Sequence, residues 1–352
     1  MVGRVNPVAL DAMGGDHAPG ATVLGAAQAA RNLGIPVLLV GDEARLKAEL
    51  DRAIRPGPST SARLEIVHAG DTIGMEESPS SALLRKRDAS VVVAMNLVKE
   101  GRACGVVSAG NSGAVMGAAV LRLGLLPDVN RPAIAMLLPS RKGSVVVLDG
   151  GATVDPPPEH LRDFALMGSI YAHCLLHLAQ PRVGLLSIGE EASKGSALTK
   201  KTYALLEQSP INFVGNVEGK GVAEGEVDVA VCDGFVGNVL LKSVEGYAQL
   251  FFEMMKTLIS GRLRFRLGAW LLKPALRTLG RQFDYASYGG ALLVGVNGNC
   301  VIAHGRSSPT AIENAIRVAS ELAEQRVVEH LTTLFHEITS TPLATAARHS
   351  GR

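Results

Sequence analysis

Short apolar runs alternate along the chain with stretches in which apolar residues recur every three or four positions, the pattern of strands and amphipathic helices in turn. Val5 to Leu10 reads as a buried strand, and Pro19, suited to a first helical turn, opens a helix to about Gly34. Pro36 to Val40 predicts a second strand, Asp42 to Ile54 a helix, and Arg63 to Val67 a third strand after the loop at Pro56 to Pro58. Further strands are expected at Ala103 to Val107, Ala133 to Leu138, Ser144 to Leu148, Arg182 to Ser187, Ile211 to Val214 and Val227 to Val231, with a hairpin from Leu292 to Ala303 that turns at Asn297-Gly298. Helical stretches separate most of them, so the rhythm is βαβ and the fold class is α/β. One α/β domain is expected over residues 1–337, and the Thr-, Ser- and Ala-rich stretch 338–352 as a disordered tail.

The chemistry sits where strands end. Asp11-Ala-Met-Gly14-Gly15-Asp16-His17 closes the first strand and opens the first helix, so free N–H groups form an anion site with Asp11 and Asp16 beside it to orient or to handle protons. Ser108-Ala-Gly-Asn111-Ser112-Gly113 offers hydroxyls and an amide at a helix start, suited to phosphate oxygens or a developing oxyanion, or to capping by Ser112. Asp149-Gly-Gly-Ala and Gly189-Glu-Glu-Ala-Ser193-Lys194-Gly195 end two more strands, with Lys194 readable as a point charge for phosphate or as a solvated lysine. Asp233 and Asn238, with Lys242 one turn beyond, form a second polar clamp or else an N-cap and an exposed face. His304 follows the hairpin and reads as a donor to a leaving group or an anion, or as a structural hydrogen bonder. Parallel strands would place these loops on one sheet edge, where they converge.

Composition narrows the class. Glycine is 39 of 352 residues and aromatics only 4%, which favours a small-residue α/β sheet over a sandwich or an aromatic-rich barrel. The net charge of +2 and the lack of any RNA- or DNA-reading motif argue against nucleic acid as a partner. Cys104, Cys174, Cys232 and Cys300 are far apart, so neither a zinc site nor a disulfide framework is expected; Cys232 reads as a small strand-end residue and not as a nucleophile. There is no Gly-x-Gly-x-x-Gly after the first strand, no P-loop and no Gly-x-Ser-x-Gly elbow, which removes the dehydrogenase, NTPase and serine-hydrolase templates. No metal and no cofactor are expected. Without a signal-peptide pattern or a run of about 18 apolar residues, a cytoplasmic location is the expectation.

Longer blocks resemble one family. Leu10 to Pro19, Ser108 to Ala114, Pro158 to Tyr171, Val183 to Gly195, Asn212 to Glu218, Asp228 to Lys242 and Gly289 to Ser307 are similar, in order, to the bacterial phosphate acyltransferases. The resemblance implies an enzyme that makes acyl phosphate from fatty acyl-acyl-carrier protein and inorganic phosphate, on the way to phosphatidic acid and phospholipid. It implies a Rossmann-like three-layer α/β/α fold of the isopropylmalate dehydrogenase and phosphotransacetylase type, a homodimer, and loose attachment to the inner face of the membrane. The membrane acyltransferase that uses the product is then a further partner. Ser187 and Thr153 stand where the family usually has Asn, so an amide role is lost there, whereas Ser112 for Thr keeps the hydroxyl. Lys194, Asp233, His304 and Asp16 are the candidate catalytic residues, and Asp11, Gly14, Gly15, Ser108, Asn111, Ser112, Gly113 and Asn238 the candidate substrate contacts. Phosphate is already an anionic nucleophile, so positioning and charge neutralisation suffice without an acyl-enzyme. A phosphotransacetylase-like enzyme using coenzyme A thioesters and a catalytically silent docking protein are the alternatives.

Between Met254 and Phe283 lie seven basic residues and no acid, together with Trp270, the only tryptophan. On a helical projection Arg262, Arg266, Lys273 and Arg277 share a stripe beside Leu263, Leu267, Trp270 and Leu271, which suits an anionic surface. Gly268 and Pro274 predict two short amphipathic pieces at a tip that docks on a membrane, receives the acidic carrier protein, or lies solvated at a dimer edge.

Overall fold

The computed structural model describes residues 6–53, 63–261, 263–283 and 289–340. Its strands are β1 (Val8–Asp11), β2 (Val37–Gly41), β3 (Leu64–His68), β4 (Gly105–Ser108), β5 (Ala133–Ser140), β6 (Gly143–Leu148), β7 (Val183–Leu186), β8 (Phe213–Val217), β9 (Val229–Val231), β10 (Ala291–Val294) and β11 (Asn299–Ile302). They form one sheet in the order β3-β2-β1-β4-β11-β10-β5-β6-β9-β7-β8. The helices are α1 (Gly20–Asn32), α2 (Glu43–Ala53), α3 (Pro79–Arg85), α4 (Ser90–Lys99), α5 (Ser112–Arg122), α6 (Pro158–Leu176), α7 (Ala197–Leu206), α8 (Gly219–Glu224), α9 (Gly234–Ser260), α10 (Leu263–Phe283), α11 (Pro309–Glu324) and α12 (Val327–Ser340).

Successive strand residues feed opposite cores. Val8, Leu10, Val37 and Leu39 pack with Val23 and Ala26 of α1, Phe164 of α6, Ile312 and Ile316 of α11 and Phe335 of α12. Ala9, Leu38, Val40 and Val106 pack on the other face with Val92 and Met95 of α4 and Ala118 of α5. Where helices cover both faces of the sheet the strand positions are apolar, so the inner strands read as continuous apolar runs, whereas the edge strand β3 keeps Glu65 and His68 exposed; the result is the expected three-layer α/β/α sandwich.

The strands are not all parallel, and the expectation of a single shared edge is corrected here. β3, β2, β1, β4 and β11 run one way, and β6, β9, β7 and β8 run the other. Three successive antiparallel pairings, β11 with β10, β10 with β5 and β5 with β6, reverse the direction an odd number of times. The loops still meet, because register brings the ends together: Val301 pairs with Leu292, Leu292 with Ala135, and Met136, the next residue of β5, with Val147. The last residues of β11 and β6, Ile302 and Leu148, therefore stand at nearly the same height although their strands are opposed.

Two further expectations change. The basic segment is not broken at Gly268 or Pro274; α10 is one 21-residue helix with Pro274 inside it, and it starts at Leu263 after α9 has ended at Ser260. A proline removes a single N–H from the ladder, and the turns on either side keep theirs. The helix at the C-terminus runs to Ser340, past the expected limit at 337, because Val327, Leu331 and Phe335 bury an apolar stripe. Residues 341–352, Arg262, Val5, Ile54 and the loop at Pro56 to Pro58 lie outside the described residues.

Candidate active site

On the β1 side, three strand ends stand in register: Asp11 beside Ser108, and Ser108 beside Ile302. Ser108 Oγ donates to Asp11 Oδ2 at 2.7 Å, and the Gly110 N–H donates to Ser108 Oγ at 3.1 Å. Asp11 is buried, its Oδ1 has no hydrogen-bond partner, and burial raises its pKa against the pull of its donors. The structure thus places Asp11 and Ser108 under the turn, where they tie β1 to β4. Gly14 is needed for contact: a Cβ there would stand 2.6 Å from Asp11 Oδ2 and 2.9 Å from the Gly110 nitrogen. Gly15 adopts φ +105°, open to glycine but not to other side chains without strain.

Asn111 is the N-cap of α5, its Oδ1 accepting from the Ala114 N–H, while its Nδ2 donates to the Met75 and Glu77 carbonyls. Its amide is occupied in holding the 70–78 segment against the turn. Gly113 packs against Pro79. Ser112, the first residue of α5, is exposed and lines a cavity.

On the opposed side, Asp149 follows the last residue of β6 and is buried. Its Oδ1 accepts from the N–H groups of Ile134, Gly151 and Ala152, and its Oδ2 from that of Thr153 at 2.7 Å. The Thr153 carbonyl accepts from the Gly234 N–H, and Asp233 caps α9 by accepting from the Val236 N–H at 2.8 Å. Asp149 thereby fixes where α9 starts, and α9 carries Asn238 and Lys242 over the sheet.

A cavity of about 210 Å³ lies between the two sides, with Ser112, Asn238, Lys242, Glu245 and His304 among its lining residues. Lys242 Nζ donates to Glu245 Oε2 at 2.8 Å and stands 3.4 Å from His304 Nε2. His304 Nδ1 accepts from the Arg306 N–H at 3.1 Å, which puts the proton of the neutral ring on Nε2. Burial, and next the Lys242 charge, lower the His304 pKa below its usual value. An ammonium and an Nε2–H thus meet in one small space beside the Glu245 carboxylate, and an acceptor oxygen there can receive both donors.

The other candidates lie apart from this point. Asp16 is exposed; its N–H donates to the Gly305 carbonyl, and its carboxylate is 4.0 Å from Arg306 Nε. Lys194 is exposed in the loop after β7, packed on Gly189, and does not line the cavity. Its neighbours Gly195 and Ser196 line a second cavity of about 280 Å³ with Ser187, Cys232 and Asp233, across the first turn of α9. Asp149, Glu245 and the Lys242–His304 pairing were not among the candidates. The four-residue spacing from Asn238 pointed to Lys242, but nothing in the sequence pairs it with a histidine 62 residues away.

Comparison with known proteins identifies the family. Residues 7–330 match the family model described as "Fatty acid synthesis protein". Proteins named phosphate acyltransferase from Desulforamulus reducens and Moorella thermoacetica are each 51% identical, over 91% and 93% of this chain and 95% of their own lengths. Among solved structures, a phosphotransacetylase from Streptococcus pyogenes superposes with a TM-score of 0.60 at 15% identity, over 92% of this chain and 95% of its own. A 4-hydroxythreonine-4-phosphate dehydrogenase from Klebsiella pneumoniae does so with a TM-score of 0.50 at 14% identity, over 92% and 99%. At such identities the two structures speak for the fold alone, whereas the family model and the half-identical relatives establish that this chain belongs to the phosphate acyltransferase family of fatty acid synthesis proteins.

Proposed function

We propose that this acyltransferase moves a fatty acyl group from an acyl-carrier-protein thioester to inorganic phosphate, with one phosphate oxygen accepting from both Lys242 and His304. The two adjacent donors at the polar end of a partly apolar cavity carry this reading. Lys242 and the His304 Nε2–H neutralise and orient the anion, and the Ser112 hydroxyl at the α5 N-terminus adds a further donor. A phosphate oxygen attacks the thioester carbonyl, the C–O bond forms, the tetrahedral oxyanion collapses, and the C–S bond breaks to release the carrier thiolate, which takes a proton from solvent. Asp11, Ser108 and Asp149 act by fixing the turns, and Gly14, Gly15 and Gly113 by letting them close. The test is to mix the purified protein with labelled phosphate and either acyl-carrier-protein or acyl-coenzyme A thioester. Acyl phosphate from the first donor supports the proposal; product from coenzyme A alone moves the chain to the phosphotransacetylase-like alternative, and no product from either sinks it.

Direct attack needs no protein nucleophile. Cys232 is buried, and burial together with the Asp233 and Asp149 charges pushes its thiol far above the ordinary range, so it supplies no thiolate. Cys232→Ala is expected to retain most of the acyl-transfer rate, and trapping of a hydroxylamine-sensitive acyl group on the wild-type protein would overturn the direct-attack scheme.

The same reading includes a second copy of the chain and an anionic membrane face. Phe235, Val239, Tyr247, Leu250, Met254 and Leu258 form an exposed apolar band along α9, which suits a partner subunit. α10 packs back on α9 and exposes Leu267 at 62%, Trp270 at 67% and Leu271 at 67%, beside the exposed Arg266 and Lys273. Among the described residues no helix is long and apolar enough to cross a membrane, so contact would be peripheral. Trp270→Glu with Leu271→Glu is expected to abolish flotation with anionic vesicles while leaving the fold intact; binding that survives the pair returns α10 to the carrier-protein or dimer-edge readings.

A further inference from the structure

We infer that the apolar part of the 210 Å³ cavity seats the acyl chain of the donor, and that Met136 and Leu241 set the chain length the enzyme accepts; this rests on the acyltransferase reading. The cavity is two-faced. Its polar end holds Ser112, Asn238, Lys242 and His304, and the rest of its wall comes from Ile134, Met136 and Leu137 of β5, Leu241 of α9, and Ala291 and Ile302 at the ends of β10 and β11. Phosphate alone would use only the first part. A thioester whose carbonyl lies at the donors must carry its chain along the second.

Ile134 and Met136 are two apart on β5 and so face the same way. Met136 is 5% exposed and lies against Gly150, where a Cβ would meet its Sδ at 2.5 Å. The glycine makes room for a thioether that is unbranched and can re-pack around chains of different length. Leu241 precedes Lys242 on α9 and is half-buried against the same core as Met136 and Ala291. It is the apolar neighbour of the charged donor. The Glu245 carboxylate accepts from Lys242 and so belongs to the polar end of the wall.

The experiment measures kcat/KM for butyryl, octanoyl and palmitoyl carrier-protein thioesters with the wild type, Leu241→Trp and Met136→Phe. The ratio of palmitoyl to butyryl efficiency is expected to fall at least about tenfold in Leu241→Trp, since even single methylene contacts in apolar pockets discriminate at that level. The KM for phosphate is not expected to follow that ratio. Should Met136→Phe fail to fold, Leu241→Trp, at a half-exposed position, decides alone. An unchanged ratio, or an equal loss on all three donors, overturns the inference. A wild type that makes no acyl phosphate from any of the thioesters overturns instead the acyltransferase reading on which it rests.

Discussion

Replacing Lys242 by alanine is expected to lower kcat/KM for acyl-phosphate formation by about a hundredfold or more, the loss typical of removing one preorganised donor from a developing oxyanion or a reacting phosphate. The reason is geometric. Lys242 Nζ and His304 Nε2 stand 3.4 Å apart although they come from opposed halves of the sheet, close enough for one anion oxygen at the apex of the pair to accept from both. A second readout separates this from a packing role. Burial is the larger cause of the low His304 pKa and the Lys242 charge the next, so Lys242→Ala should raise the ring pKa part of the way toward its ordinary value. NMR titration of His304 reads that shift. Unchanged kinetics together with an unchanged titration would remove Lys242 from the site.

The largest effect on stability is expected at Asp149, which makes no contact with the proposed anion. Asp149→Ala leaves four backbone N–H groups without their acceptor, those of Ile134, Gly151, Ala152 and Thr153. Buried donors deprived of a partner cost about 1–3 kcal/mol each where water cannot reach them. Several of these sit in a loop that admits some water, so a net loss of about 3–5 kcal/mol is expected, comparable to breaking a buried charged network. Asp149→Asn should cost less, because its carbonyl oxygen can still accept at one position while its NH2 opposes the Thr153 N–H. Urea unfolding of the two variants checks the order: an alanine variant as stable as the wild type would show that the four bonds are replaced by water. Gly237 tests the same junction independently, since a Cβ there would run into the Asp149 carbonyl oxygen. Both changes should displace the α9 N-terminus, and with it Asn238 and Lys242.

Much of this architecture could be read from local pattern. The strands from Val37–Gly41 to Asn299–Ile302 fall within a few residues of the apolar runs that announced them, because a strand buried on both faces has no polar position to blur it. Asp233 caps the helix that follows, as one of its two expected readings had it, whereas the cap of α5 is Asn111 and not Ser112, the residue expected to serve. The turn at Gly14-Gly15 was legible because close backbone approach and positive φ both demand glycine. In the C-terminal half the long blocks from Val183 to Gly195 and from Asp228 to Lys242 carried the family likeness that the half-identical relatives establish.

What the amino-acid sequence determined alone is therefore the set of elements, the layer class and the small polar turns that close the strands, since each depends on side chains a few positions apart. Strand direction was decided only by tertiary structure. A strand's apolar pattern is the same whether its neighbour runs with it or against it, so nothing local announced that β6, β9, β7 and β8 oppose the β1 set, or that register would still bring the ends of β11 and β6 level. That same long-range pairing decided which candidate groups meet. It left Lys194 on an outer loop and Asn111 occupied by the Met75 and Glu77 carbonyls, and it set Lys242 of one half against His304 of the other. An electrostatic site depends on distance in space, and between the two halves of this sheet that distance is set by hydrogen-bond register, which no spacing along the chain encodes.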